Sequence, residues 1–151
     1  DSFFYTLDRI KNWNNLYGKK GFYQFQCIFP DQFSKIGIQD ILLKIKKHKM
    51  ISFLAVLKTH KKETSPGINS FCLKETSVAM DFANKNEGKT YKLLKDLEKS
   101  VIKYNGKMYP AKDSVMSSKT FKICYPNWTK LNKFKDQNLS SSFWKRVVKK
   151  K

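Results

Sequence analysis

From Gly21 to Pro30 the chain reads Gly-Phe-Tyr-Gln-Phe-Gln-Cys-Ile-Phe-Pro, which alternates Phe22, Gln24, Gln26 and Ile28 with Tyr23, Phe25, Cys27 and Phe29. A period of two places one set on each face of a β-strand. One face is wholly apolar and the other carries two glutamines, so one side of this strand is fit for a core and the other for something else. After Pro30-Asp31 the period changes. Ile38, Ile41, Leu42 and Ile45 recur at helical spacing, with Lys44, Lys46 and Lys47 expected to face outward, which predicts an amphipathic helix ending near His48. Ile51 to His60 is apolar and β-branched enough for a central strand, with Lys58 interrupting it near its end. Lys61 to Asn69 then reads as a polar loop with a turn signal at Pro66-Gly67.

Thr76 to Phe82 alternates again, and Gly88 to Tyr104 sets Tyr91, Leu94, Leu97, Val101 and Tyr104 on one helical stripe. Asn105-Gly106 is a helix stop, and Lys107 to Lys112 predicts a short last strand with a proline at an edge or near its end. The order is β-α-β-β-α-β, so the expected class is α+β. In this ferredoxin-like arrangement two helices cover one face of a four-stranded antiparallel sheet and leave the other free to line a site. Either Gln24 and Gln26 or their apolar neighbours then point to the free face. Ser117 to Lys151 reads as additional C-terminal helix, with Pro126 at a helix start and a terminal Lys149-Lys150-Lys151 run. One domain spanning 1–151 is expected.

Composition narrows the classes of function. The 151 residues, 40% hydrophobic with 6 Gly and 4 Pro, suit a packed domain, and no apolar run reaches the ~18 residues of a membrane-spanning helix. The first residue is Asp1 and no signal-like segment follows, which suggests a processed chain or a fragment of something longer. Cys27, Cys72 and Cys124 lack a CxxC pair and read as small buried hydrophobes in a reducing compartment. His48 and His60, both in lysine-rich surroundings, read as surface residues and give little material for a metal site or a Ser-His-Asp triad. Net charge is +19, yet arginine occurs only at Arg9 and Arg146. Nucleic-acid surfaces lean on arginine for bidentate contacts and stacking, so the lysines read as generic solvated charge and argue against a nucleic-acid partner.

Leu7-Asp8-Arg9-Ile10, Trp13-Asn14 and Leu16-Tyr17-Gly18 lead into the first strand. Ser52 to Lys58, Met80-Asp81-Phe82, Tyr109-Pro110-Ala111-Lys112-Asp113 and Tyr125-Pro126 follow in order. Together these runs resemble the C-terminal part of FAD-linked oxidases of the decaprenylphosphoryl-β-D-ribose oxidase type, within the wider vanillyl-alcohol-oxidase-like flavoproteins. The resemblance implies a substrate or cap domain. The cofactor would be FAD, bound mainly by an N-terminal FAD-binding domain that this chain lacks, and the chain alone would be inactive. It implies a sugar alcohol as substrate, such as a polyprenyl-phosphoryl pentose, or an aldonolactone. A separate reading, compatible with this one, is a membrane-surface domain whose lysines meet anionic lipid or the phosphate of a polyprenyl-linked sugar, which makes an anionic membrane surface a further partner and the expected location cytoplasmic, peripheral to a membrane.

By the same resemblance, Lys112 takes the lysine position of the Tyr-x-Ala-Lys-Asp motif, where it orients substrate and stabilises charge at the flavin. Tyr109 lies near the flavin, and Gln24, Gln26 and Lys58 line the substrate pocket. Ala79 stands where mycobacterial members have a pocket cysteine, and Ser77 where they have asparagine. Trp13 and Tyr17 read as packing or domain-contact aromatics outside the site. The strongest rival is an RNA-binding module, because the element order, the charge and Lys20 to Phe25 have points in common with an RRM. A small residue is absent at Tyr23 and an aromatic at Gln24, and the motif belongs on the third strand rather than the first.

Overall fold

A computed structural model of the chain describes residues 9–61, 65–72, 75–136 and 138–148. Four strands, β1 (Phe22–Pro30), β2 (Ser52–Thr59), β3 (Glu75–Ala83) and β4 (Lys107–Met108), form one antiparallel sheet in the order β2-β3-β1-β4. Helices α1 (Asp31–Lys47) and α2 (Glu87–Lys103) connect β1 to β2 and β3 to β4, which gives the expected β-α-β-β-α-β order. Helices α3 (Ser118–Cys124) and α4 (Ser142–Val147) follow, separated by a 3-10 helix over Pro126–Lys133 that has Pro126 in its first turn. The Lys149 to Lys151 run and residues 1–8 lie outside the described residues, as does part of the Lys61 to Asn69 loop. Among the described residues no helix is long and apolar enough to cross a membrane.

Helix ends explain why the strands begin where they do. Lys49 and Asn105 both adopt left-handed backbone, with φ of 51° and 54°. The next amide then turns back in each case: Met50 N–H donates to the Ile45 carbonyl and Gly106 N–H to the Val101 carbonyl, at 3.2 and 2.8 Å. These are Schellman closures, which satisfy helix-end carbonyls and reverse the chain. In the Asn105-Gly106 stop the asparagine takes the unusual φ, and the glycine is needed for space. A Cβ on Gly106 would lie 2.6 Å from the Ile28 carbonyl oxygen, and one on Gly37 would lie 2.8 Å from the Phe29 ring. Two glycines thus let α1 and the α2–β4 turn close on Phe29, which is fully buried.

The core lies between the sheet and α1 and α2. It gathers Phe25, Cys27 and Phe29 from β1, Val78, Met80 and Phe82 from β3, Ile41 and Ile45 from α1, and Leu93, Leu94, Leu97 and Val101 from α2. Three positions differ from the helical stripes read in the sequence. Leu42 and Tyr91 are exposed, each at the margin of its stripe. Lys44 is turned between the helices, its ammonium donating to the Asp96 carbonyl at 2.9 Å and to Ser100 Oγ, while Ser100 donates to Asp40 at 2.7 Å. His48 joins this clip through Asp96 at 2.9 Å and is half-buried, so it is not a free surface residue.

The larger corrections concern β2 and the last strand. β2 is an edge strand rather than a central one, with Phe53, Leu54 and Leu57 exposed, Leu57 by 62%. The last strand stops after Met108, because Pro110 has no N–H for the ladder and opens a 3-10 turn over Pro110–Lys112. Cys27 and Cys124 are buried, and burial holds both thiols above their ordinary value, but Cys72 is exposed.

Candidate functional site

Paired residues of an antiparallel sheet share a face, so the register fixes the composition of each side. Phe25 opposite Met80 and Cys27 opposite Val78 form the helix-covered side. Gln24 opposite Asp81, Gln26 opposite Ala79 and Ile28 opposite Ser77 therefore form the side away from α1 and α2. The rows continue into β2, where Val56 meets Ala79 and Lys58 meets Ser77, and into β4, where Lys107 meets Ile28. Three of the residues singled out in the sequence, Gln24, Gln26 and Lys58, thus share one face. Both glutamines are half-buried and Lys58 is exposed. Lys58 lies two strand spacings from β1, about 10 Å.

Tyr109 joins this face through its backbone, its N–H donating to the Gln26 carbonyl at 2.8 Å. Its ring lies 4.8 Å from that of Phe71, tilted by 39°. Lys112 ends the 3-10 turn that begins at Pro110, and its N–H donates to the Tyr109 carbonyl at 3.3 Å. Asp113 fixes that turn from behind. Its Oδ1 accepts from the Val115 and Met116 amides at 2.9 and 2.7 Å, and its Oδ2 accepts from the Arg146 guanidinium. Arg146 also donates from Nε to the Met116 carbonyl at 3.3 Å. Burial holds the Asp113 carboxyl above the usual carboxylate range, against the pull of those amides and of Arg146. Among the described residues no hydrogen bond or ion pair joins the Lys112 ammonium to Gln24, Gln26 or Lys58, so the structure brings Lys112 close in chain to Tyr109 without a side-chain contact to the others.

The structure adds four residues to this face. Tyr17, read as a packing aromatic, stacks on Phe22 with centroids 4.2 Å apart and donates its hydroxyl to Asp81 Oδ2 at 3.2 Å. Burial, and then the Asp81 charge beside it, hold the Tyr17 phenol above its ordinary value, so it stays a donor. His60 Nε2 lies 2.8 Å from Ser77 Oγ, and Ser77 is buried. Asp81 carried a signal that could have been used, since an acid at a period-2 position inside an apolar strand needs a partner. Tyr17 and His60 carried none, because Tyr17 lies outside the periodic segments and His60 is the last residue of the expected Ile51 to His60 strand, and each finds its partner on this face only through the fold.

Trp13 is exposed at 42% and touches Tyr17 and Phe22 edge-on, as an anchor would. Of the aromatics in the Lys20 to Phe25 run that a nucleic-acid reader would stack on bases, Tyr23 and Phe25 lie on the helix-covered side, and Phe22, on the other, is stacked on Tyr17. Beyond His60 opens a cavity of about 490 Å³, lined by Thr59, His60, Lys61, Ser65, Pro66, Ser70 and Cys72. Among the described residues no three His, Cys, Asp or Glu side chains gather to hold a metal ion.

No family model matches the chain. It is 29% identical over 140 residues, 89% of its length, to decaprenylphosphoryl-beta-D-ribose oxidase from Mycolicibacterium smegmatis. The chain spans 29% of the length of that relative. It is thus similar to one part of an oxidase, as the ordered motifs suggested.

Proposed function

We propose that this chain is the substrate-binding part of a flavin-dependent oxidoreductase that oxidises a sugar alcohol, with a polyprenyl-phosphoryl pentose as the substrate class. The observation that carries this reading is the polar face of the sheet. Two half-buried glutamines, a buried carboxylate with its tyrosine and the Tyr109 backbone occupy adjacent rows there, where a plain solvent face would show freely hydrated side chains. The similarity to an oxidase that acts on a lipid-linked ribose supports the same class.

The residues present suit FAD as the cofactor. A planar ring system needs a broad surface with small side chains at its centre and donors at its rim; Ala79, the aromatic Tyr109 and the glutamines meet the first need and Lys112 the second. Tyr109 and Lys112 would hold the ring, with the remainder of the dinucleotide bound by a flavin domain outside this chain. Bound flavin supplies a hydride acceptor for the carbinol carbon. The chain's own residues do the rest. The Gln24 and Gln26 carboxamides, each both donor and acceptor, orient the sugar hydroxyls. Asp81, held by Tyr17, offers carboxylate oxygen to a hydroxyl proton. Lys112, on a turn clamped by Asp113 and Arg146, places positive charge where negative charge develops. Lys58 steers the anionic end of the substrate.

The test is to produce the chain joined to its flavin-binding part, purify it at high salt and record visible absorption. A flavin spectrum that bleaches with a polyprenyl-phosphoryl pentose in the absence of oxygen is the expected result, and bleaching by an aldonolactone alone would reassign the substrate. A colourless protein that carries nucleic acid, released as salt rises, would overturn the reading.

A further inference from the structure

The side of the sheet away from α1 and α2, on which Ile28, Ser77 and Asp81 are themselves buried, has two unlike ends. At one, Tyr17 and Asp81 pair at 3.2 Å beside Gln24. At the other, the row Lys58, Ser77, Ile28, Lys107 has a lysine on each outer strand, and His60 is fixed over it by its 2.8 Å bond to the buried Ser77. The cavity beyond His60 adds Lys61 and the hydroxyls of Thr59, Ser65 and Ser70, and no carboxylate lines it among the described residues. Lys58 and Lys61 have no carboxylate partner among the described residues. Other lysines are differently placed. In the groove between α2 and α3, Lys95 is paired with Glu98 and Lys99 with Asp96, so much of that charge is already answered.

We infer that the cavity beside His60 is a phosphate subsite for a sugar phosphate, with Lys58, His60 and Lys61 facing its non-bridging oxygens and the cavity hydroxyls donating to them. Donors with no competing carboxylate among the described residues favour phosphate, and the preformed His60–Ser77 contact lowers the ordering cost of binding. Ser77 and Asp81 are four residues apart on β3, about 13 Å along a strand. A phosphate at the Ser77 end therefore lays its sugar over the Gln26–Ala79 row and points the hydroxyls toward Gln24 and Asp81, while the Asp81 carboxylate repels the reverse orientation. The sugar's orientation rests on the oxidase reading; the anion site rests on this chain alone.

The experiment is amide-resolved NMR on the 151-residue chain, titrated separately with D-ribose 5-phosphate, D-ribose and inorganic phosphate. Ribose 5-phosphate is expected to shift the amides of 59–61 and Ser77, and ribose alone to leave them in place. Replacing Lys58, His60 and Lys61 together by Gln should weaken ribose 5-phosphate at least fivefold, whereas Lys119→Gln in the α2–α3 groove should not. If the triple variant loses its dispersed spectrum, Lys61→Gln alone, at an exposed position, is expected to weaken binding at least twofold. Unchanged affinity in the folded variants, or shifts spread evenly over the α2 lysines, would overturn the subsite. Inorganic phosphate binding as tightly as ribose 5-phosphate would overturn the sugar component. Phosphatidylglycerol vesicles that bind through the same three residues, with ribose 5-phosphate inert, would assign the anion to a lipid headgroup instead. A flavin spectrum in the joined protein without these shifts would sink the subsite and leave the oxidase reading standing; the shifts without flavin would do the opposite.

Discussion

The two sides of β1 are built from the same nine residues and follow different rules. Phe25, Cys27 and Phe29 are buried beneath two helices, and Gly37 and Gly106 leave out a side chain where one would collide with Phe29 or its neighbour's carbonyl. Gln24 and Gln26, one residue away in each direction, are half-buried among polar and aromatic groups that the core does not need. The first side holds the sheet to its helices by apolar burial and close packing. On the second, Ile28 is buried like the core, but the half-buried Gln24 and Gln26 positions are free to vary in chemistry without unfolding the chain, and that is the condition for a site.

The sharpest way to break this comparison is to truncate one residue on each side. Phe29→Ala should destabilise the chain by ~3 to 5 kcal/mol, a large part of what a domain of this size possesses. Gln24→Ala should change stability by only about 0.5 kcal/mol. Urea unfolding of both variants checks this, and similar losses would mean that the glutamine side is structural. In the flavin-joined protein, Lys112→Ala should lower kcat roughly a hundredfold, the scale of losing one charge-stabilising donor. Lys58→Ala should mainly raise KM, since it acts on an end of the substrate remote from the reacting carbon. Equal kcat in the Lys112 variant and the parent would remove Lys112 from the site.

The smallest expected effect is one of pH. Burial works to raise the Glu98 carboxyl, but hydrogen bonds from Lys95, Thr120 and Ser117 outweigh it and bring the group below its ordinary 4.5. A carboxyl lower in the folded than in the unfolded chain adds stability above the unfolded value, and that stability is lost as pH falls through the folded one. Glu98→Gln should therefore be less stable than the parent near neutral pH, with the gap closing as pH drops from about 4.5. Asp113 is shifted in the opposite sense and is common to both proteins, so it cancels in the difference. A gap that is constant with pH would show that Glu98 acts through shape alone.

The sheet and its covering helices were legible because their evidence is periodic. Phe22 to Pro30 and Thr76 to Phe82 alternate, and Ile41, Ile45, Leu94, Leu97 and Val101 recur at helical spacing, so each segment states both its type and its buried side. The position of β2 was not legible: apolar content in Ile51 to Leu57 signals affinity for burial, and no local pattern says which neighbours a strand acquires. The length of the last strand turned on a single missing N–H at Pro110. Within the site, Gln24 and Gln26 were legible as the odd residues of an apolar strand, and register alone decided which way they face. Tyr17, His60 and Ser77 reach the same face from three separate stretches of chain, a convergence that only tertiary structure displays.

The clasp between Asp113 and Arg146 spans 33 residues of sequence, from the end of the Lys112 turn to the last helix. Its side chain on the Asp113 side is 1% exposed, so removing the guanidinium strands a buried charge. The closing residues of the chain thus serve as the keystone of an arch whose other foot is the lysine turn. A version trimmed before Arg146 would keep every strand and both large helices and still lose its grip on the one loop that the proposed chemistry depends on.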